Sequence, residues 1–343
     1  MSNESAYARA GVDIEAGERA VDLMKAHVAA TRRPEVLGGL GGFAGFFDAA
    51  ALGKYRHPVL ATSTDGVGTK VAIAQAMDVH DTIGFDLVGM LVDDLVVVGA
   101  EPWFATDYIA CGHVDPDRIA NVVKGIAAAC VKAGCSLLGG ETAEHPGLLA
   151  DDEYDALLGP QRVQEGDALL AVASSGLHSN GYSLVRKVLL ADAGWALERH
   201  VDELGRTLGE ELLEPTTVYA ADVLALIRQV DVHAMSHVTG GGLANNLARV
   251  LPDDLVATVD RSTWTPAPIF NLVQQVGNVS QPDIEATLNM GVGMVLVMPD
   301  ANISTAIDLL AERGLSAWQC GRVSHRDATN EPGAVLVSNH PCC

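Results

Sequence analysis

The chain has 343 residues, enough for two domains with ordinary cores, and 48% of them are hydrophobic, which excludes disorder as its resting condition. A formal net charge of −22, from 44 acidic and 22 basic residues, argues against nucleic acid or an anionic membrane as partner, because either calls for a broad basic face. No run of about eighteen apolar residues occurs, and the opening MSNESAYARAGVD has neither a basic region nor an apolar signal core, so a cytoplasmic protein outside the membrane is expected. The cysteines (Cys111, Cys130, Cys135, Cys320, Cys342, Cys343) form no CxxC pair and have no histidine at zinc-finger spacing, which predicts reduced structural thiols.

In chain order, residues 13–31 carry helical periodicity through Ile14, Ala20, Val21, Met24 and Val28. The glycine-dense GGLGGFAGFF at 38–47 mixes glycine with apolar residues, unlike a solvated linker, and suits a segment that folds over a ligand or a partner chain. Residues 57–63 read as a strand, 82–98 as a helix, 103–110 as a strand, 116–132 as a helix, and 135–138 as a short strand running into GGETAEHPG. LLGPQRVQEGD at 157–167 breaks the periodicity. Beyond it come a strand at 168–173, the polar loop SSGLHSNG, a helix at 182–190, a strand at 232–238 ending in TGGG, and a helix at 243–250. Strands at 255–259 and 293–298 and a helix at 303–313 complete an α/β mixture in two halves, whose sheets periodicity leaves open as parallel or antiparallel.

Two segments carry the chemistry. TDGVGTK at 64–70 follows an apolar stretch and places glycines where consecutive backbone N–H groups converge on an anion. DLVVVGAEP at 94–102 adds carboxylates, and together they look like a magnesium–nucleotide site, since Mg²⁺ is commonly shared between one or two carboxylates, water and phosphates. Asp65, Asp93, Asp94 and Glu141 all lie near such turns. Asp93 and Asp94 are about 100° apart on a helix, so at least one lies by the apolar margin, where a satisfied buried carboxylate is the competing reading. An Asx-turn competes in the same way for Asp65. The P-loop pattern GxxxxGK[ST] is absent, and GGLGGFA lacks the βαβ setting of a dinucleotide site. TGGGLANN at 239–246 follows a strand and opens a helix, a geometry that suits phosphate and equally a tight structural turn. SSGLHSNGYS gathers hydroxyls, an amide and an imidazole suited to a phosphorylated sugar; His178 and His237 stand out, although a lone histidine is more often structural or merely exposed.

AGVDIEAG, TRRPEVLGGLGGF, TDGVGTK, HDTIGFDLV, DDLVVVGAEP, GCSLLGGETAEHPG, SSGLHSNGYSLVRKVL, VDVHAMSHVTGGG and NMGVGM stand in the order found in the AIR synthase family, the phosphoribosylformylglycinamidine cyclo-ligases, and the chain resembles that family over nearly its whole length. DGVGT and Dx₄GAxP alone are shared with a wider superfamily of ATP-dependent enzymes; HSNGYSLVRK and GGETAE narrow the resemblance. The resemblance implies an α/β (α+β type) fold of two domains, 1–160 and 161–343, the first a sheet domain that binds ATP and makes a homodimer. It implies ATP-dependent closure of formylglycinamidine ribonucleotide to aminoimidazole ribonucleotide, with ATP and Mg²⁺ as cofactors and a phosphoribosyl small molecule as partner. On the same basis Asp65, Asp94 and Glu141, with Asp93 less central, would ligate the metal. Gly66, Gly68, Thr69 and Lys70 would lie at the ATP phosphates, joined by Gly139 and Gly140, with Gly38, Gly39, Gly41 and Gly42 closing over the nucleotide. His178, Ser179, Asn180, Gly181, Thr239, Gly240, Gly241 and Gly242 would hold the substrate, and His237 would transfer a proton or stabilise charge.

Between Asp155 and Gly159, where the family usually carries a further glycine-containing strand and turn, only Ala156, Leu157 and Leu158 stand. A missing strand would leave an open edge on the N-terminal sheet. The rival readings are a thiamine-monophosphate kinase, selenophosphate synthetase or hydrogenase-maturation protein of the same superfamily, or a catalytically silent variant.

Overall fold

The strongest apolar runs become the middle of a six-stranded sheet. In the computed structural model, which describes residues 14–39, 45–111, 115–144, 163–326 and 333–341, its order is β12 (Gly333–Val337), β9 (Leu255–Asp260), β11 (Ala317–His325), β5 (Ala168–Ala173), β10 (Val292–Met298) and β8 (Ala234–His237). Only β12 and β9 run parallel; every other neighbouring pair is antiparallel. Side chains alternate across a strand, so Ala168, Leu170 and Val172 with Met294, Leu296 and Met298 enter one core, while Leu169 and Ala171 with Val295 and Val297 enter another. Both faces are covered, which is why these strands lack a polar alternation.

The first face is covered by α3 (Ile83–Val96), α4 (Pro116–Ala133), α7 (Ala220–Ile227) and α11 (Ile303–Glu312), and the second by α8 (Gly242–Ala248). A third core gathers α2 (Val71–Met77), α5 (Tyr182–Val185, continuing as a π-helix over Arg186–Asp192), α6 (Leu208–Leu212), α9 (Pro268–Gly277) and α10 (Gln281–Glu285). Helix α4 starts cleanly because the Asp115 side chain accepts the N–H groups of Asp117 and Arg118 and Pro116 opens the first turn. It crosses α3 closely, and a Cβ on Gly125 would run into the Asp81 carbonyl. Helix α1 (Ile14–Ala30) lies on α4.

The N-terminal half departs from expectation in three places. Residues 57–63 are not a strand: Val59 and Leu60 are 86% and 74% exposed, because no strand among the described residues pairs with them. The short strand expected at 135–138 continues as β4 (Ser136–Glu144) through GGETAE, held by a parallel ladder to β3 (Phe104–Cys111) from Phe104–Ser136 to Cys111–Glu144. The helix expected over 182–190 changes to π-helical winding from Arg186. The segment from Asp155 to Gly159 lies outside the described residues, as do Gly41, Gly42 and the terminal cysteines; among the described residues β3 and β4 form a two-stranded sheet. No described helix is long and apolar enough to cross a membrane.

A buried ion pair joins the two halves. Lys70 Nζ donates to Asp86 Oδ1 on α3 (2.8 Å), to the Glu214 carbonyl (2.6 Å) and to the His178 carbonyl (3.1 Å), with both charged side chains sealed from solvent. Burial pulls the lysine pKa down and the aspartate pKa up, yet three acceptors around one nitrogen require three N–H donors, so the ammonium form is present. Asp86 Oδ1 also accepts from the Thr216 backbone N–H (3.1 Å) and hydroxyl. Removing one partner leaves the other charge buried and alone. Lys70→Met should therefore cost about 3–5 kcal/mol in urea unfolding, and Lys70→Met/Asp86→Leu should recover most of it.

Asp107 on β3 lies over Gly140 on β4, where a β-carbon would collide with its carboxylate. Burial raises its pKa to about 6, so the folded state keeps this proton to a higher pH than the unfolded chain does. Ionisation between about pH 4 and 6 therefore costs stability, and the cost is complete above that window. Asp107→Asn should match wild type at pH 4 and exceed it at pH 8 by about 2 kcal/mol, the partly exposed site being discounted. Thermal melts at the two pH values check this.

Candidate active site

Four segments from both halves of the chain converge. The exposed loop 65–69 leads into a 3₁₀ turn, Gly68–Lys70, and then α2. The last turn of α3 brings Asp93 and Asp94, the loop after β5 brings residues 174–181, and the end of β8 brings His237 and the TGGG turn. The loops touch directly: Ser179 Oγ donates to the Val67 carbonyl at 2.8 Å, and Thr69 Oγ1 lies 3.4 Å from Ser183 Oγ. Asn180 contacts α3 through Met90 Sδ (3.5 Å), and its Oδ1 lies 3.6 Å from where a β-carbon on Gly240 would sit.

At the centre His237 Nδ1 meets Asp94 Oδ1 at 2.8 Å. Burial opposes the imidazolium, but the Asp94 hydrogen bond and the charges of Asp93, Asp94 and Asp65 outweigh it, and the His237 pKa is raised. Its Nε2 is buried without a hydrogen-bond partner among the described residues. His178 behaves oppositely: burial, with the nearby charges of His237 and Lys70, pushes its pKa well down. Its Nε2 accepts the Ser175 N–H at 3.1 Å, which puts the ring proton on Nδ1, a second buried group with no described partner. The site thus holds one imidazole biased toward its charged form and one held neutral.

The adjacent acids separate as helix geometry demands. Asp93 is fully buried at the start of α7, where its oxygens accept the Tyr219 N–H at 2.9 and 3.2 Å, and burial raises its pKa to about 7. Asp93, expected as a metal ligand, thus has the geometry of the competing reading, a satisfied buried carboxylate. Asp94 keeps a side chain 42% exposed beside His237. The ammonium of Lys70, expected at the ATP phosphates, lies in the buried pair with Asp86.

The TGGG turn is braced by Asn246, whose Nδ2 donates to the carbonyls of Gly242 (2.8 Å) and Thr239 (3.2 Å), while Thr239 Oγ1 donates to Asn246 Oδ1 at 3.2 Å. Gly181 and Gly241 cap α5 and α8 in left-handed conformations. Gly139, Gly140 and Glu141 lie on β4, where the Glu141 side chain is outside the described set. Gly38 and Gly39 line a cavity of about 260 Å³ with Lys25, Arg32 and Leu138, which shares no residue with the His237–Asp94 cluster. Sequence reading passed over Asp86, Thr216, Tyr219 and Asn289; the usable signal for Asp86 was a carboxylate inside the apolar run of α3. Asn289 braces the loop after β5 by donating to the Gly176 carbonyl at 2.9 Å.

The donor set suits magnesium. No group of three or more His, Cys, Asp or Glu side chains forms a cage among the described residues; of the three acids that act on His237, Asp93 is buried, while Asp65 and Asp94 keep exposed carboxylates. Mg²⁺ takes one or two carboxylates and fills its octahedron with water and phosphate.

Comparison with known proteins accounts for this arrangement. Family models for the N-terminal and C-terminal domains of AIR synthase related proteins match residues 47–156 and 164–331. The chain is 49% identical to a phosphoribosylformylglycinamidine cyclo-ligase of Geobacillus sp. (strain WCH70), covering 96% of this chain and 99% of that one. It is also 49% identical to the protein of that name from Shouchella clausii (strain KSM-K16), with 96% and 98% covered. Among solved structures, a thiamine-monophosphate kinase from Stenotrophomonas maltophilia K279a superposes with a TM-score of 0.65 at 19% identity, covering 94% and 96%. The hydrogenase maturation protein HypE in complex with ATP gives 0.62 at 19%, covering 93% and 90%. Those two share the fold alone, whereas the relatives nearly half identical share the whole chain, and on that ground this protein belongs to the phosphoribosylformylglycinamidine cyclo-ligase family, ATP-dependent ligases of purine biosynthesis.

Proposed function

We infer that the chain closes the imidazole ring of aminoimidazole ribonucleotide from formylglycinamidine ribonucleotide and ATP at the meeting of loop 65–69, Asp94 and His237. The observation that carries this is the His237–Asp94 contact at 2.8 Å, with the Asp65 charge acting on the same imidazole. An amide oxygen leaves poorly. Transfer of the γ-phosphoryl group to the formyl oxygen, with ADP leaving, makes it a good leaving group; the amidine nitrogen then attacks that carbon and inorganic phosphate departs. Such chemistry asks for positioning and charge neutralisation more than for a protein nucleophile.

In this reading Asp65 and Asp94 hold Mg²⁺, with Glu141 as a further ligand; the ion would neutralise phosphate charge and orient the γ-phosphoryl group. The backbone of Gly66, Gly68 and Thr69 cradles phosphate oxygens, Gly139 and Gly140 border the nucleotide, and Gly38, Gly39, Gly41 and Gly42 close over it. His237, oriented by its contact with Asp94, presents Nε2 to the oxygen that takes up the phosphoryl charge. His178 donates from Nδ1 without adding charge, which suits a neutral group of the substrate. Ser179, Asn180, Gly181, Thr239 and Gly240–Gly242 hold the ribose phosphate. Asp94→Asn should lower kcat by about 10²-fold or more in a steady-state assay following aminoimidazole product. Full turnover by that variant, or by Asp65→Ala, would overturn the metal assignment.

Two organisational features complete the reading. The chain divides near residue 160 into a nucleotide domain and a substrate domain, supported by the two matched family models. It works as a cytoplasmic homodimer joined through the N-terminal sheet, supported by exposed Val59 and Leu60 and by Phe104 and Tyr108 exposed together on one face of β3. A second copy would cover that face and supply the ladder that residues 57–63 lack among the described residues. Leu60→Glu/Tyr108→Glu should sediment at the mass of one 35.9 kDa chain, and wild type at twice that mass.

A further inference from the structure

Lys70 ends the TDGVGTK run, yet its ammonium turns inward to three acceptors that lie on α3, on the loop after β5 and on the segment that follows α6. Its ammonium also sits 5.4 Å from the centre of the Tyr182 ring, at the start of α5. The acceptor in the loop after β5 is the carbonyl of His178, a non-glycine residue at φ +58°, a left-handed conformation that persists only where its surroundings hold it. One residue further on, Ser179 ties back to the Val67 carbonyl at 2.8 Å. The nucleotide loop and the substrate loop are therefore fastened to each other on both sides of Gly68, and the cation on one side has no solvent into which it can relax.

We propose that Lys70 is a positioning residue that couples the two loops, so that nucleotide and phosphoribosyl substrate each bind more tightly when the other is present. This rests on the loop assignments of the proposed function. A phosphate on the amides of residues 66–69 fixes the turn from which Lys70 departs; Lys70 then fixes the His178 carbonyl, and with it Ser179 and Asn180. Whatever displacement the first ligand imposes on its own loop is carried through this contact to the other, so the second ligand meets a loop already shifted toward its bound position. Linkage makes the effect equal in both directions.

The test is calorimetric titration of the β,γ-methylene analogue of ATP, with Mg²⁺, in the presence and absence of formylglycinamidine ribonucleotide. In wild type the substrate should tighten the analogue about tenfold, and the analogue should tighten the substrate by the same factor. In Lys70→Met/Asp86→Leu, where no lone charge remains buried, both ligands should still bind but the ratio should fall to within about twofold of one. Ser179→Ala, which keeps the ion pair and removes only the second fastening, should give an intermediate ratio. A merely structural role would weaken both affinities and leave their ratio unchanged. A wild-type ratio of one, or a double variant that keeps the wild-type ratio, overturns the coupling while the assigned function stands; a wild type that binds neither ligand removes the loop assignments and the coupling with them.

Discussion

The Lys70–Asp86 pair is the constraint on which the site depends, because it lies where three otherwise separate pieces of backbone must meet. A buried ammonium is tolerated only with its donors fully used, and the acceptors that use them are a helix carboxylate and two loop carbonyls far apart in sequence. Asp86 in turn is held by Thr216, whose neighbours lead directly into Tyr219 and α7. The polar seam and the apolar cores therefore reinforce one another: α3 contributes Val88 and Val92 to the first core and, from the same turns, Asp86 to the seam.

Electrostatics in the site are asymmetric by construction. Three acids act on His237, while His178 is stripped of charge by burial. Such a pair lets one fold present a cationic and a neutral donor side by side. The chain's large negative charge is no obstacle to an anionic ligand, since the field at a site is set by the groups that line it.

Much of this was legible in the sequence where a single physical signal dominated. The apolar runs of β5 and β10 read as strands, the periodicity of 116–132 reads as α4, and the glycine-bearing TDGVGTK and SSGLHSNG segments mark loops that meet at the site. What stayed hidden depended on tertiary partners. Residues 57–63 have strand composition but find no ladder among the described residues; α7 and α9 were passed over, although their apolar faces are buried in the cores. The choice between Asp93 and Asp94 was posed by helix geometry and decided only by Tyr219. Lys70 sits in a motif whose glycines suggest phosphate, and nothing local reveals that its ammonium turns inward to Asp86.

The division of labour between Asp93 and Asp94 reaches beyond ligand binding. One turn of α3 carries an acid anchored in the core and, immediately beside it, an acid presented to the site, so the rotational setting of the helix is read twice, once by packing and once by chemistry. A repacking that twisted α3 by even part of a residue would move Asp94 away from His237 while pulling Asp93 off the Tyr219 amide. Drift in this core is thereby penalised as folding and as catalysis together, and substitutions around Val92 and Val96 have little room to trade one for the other.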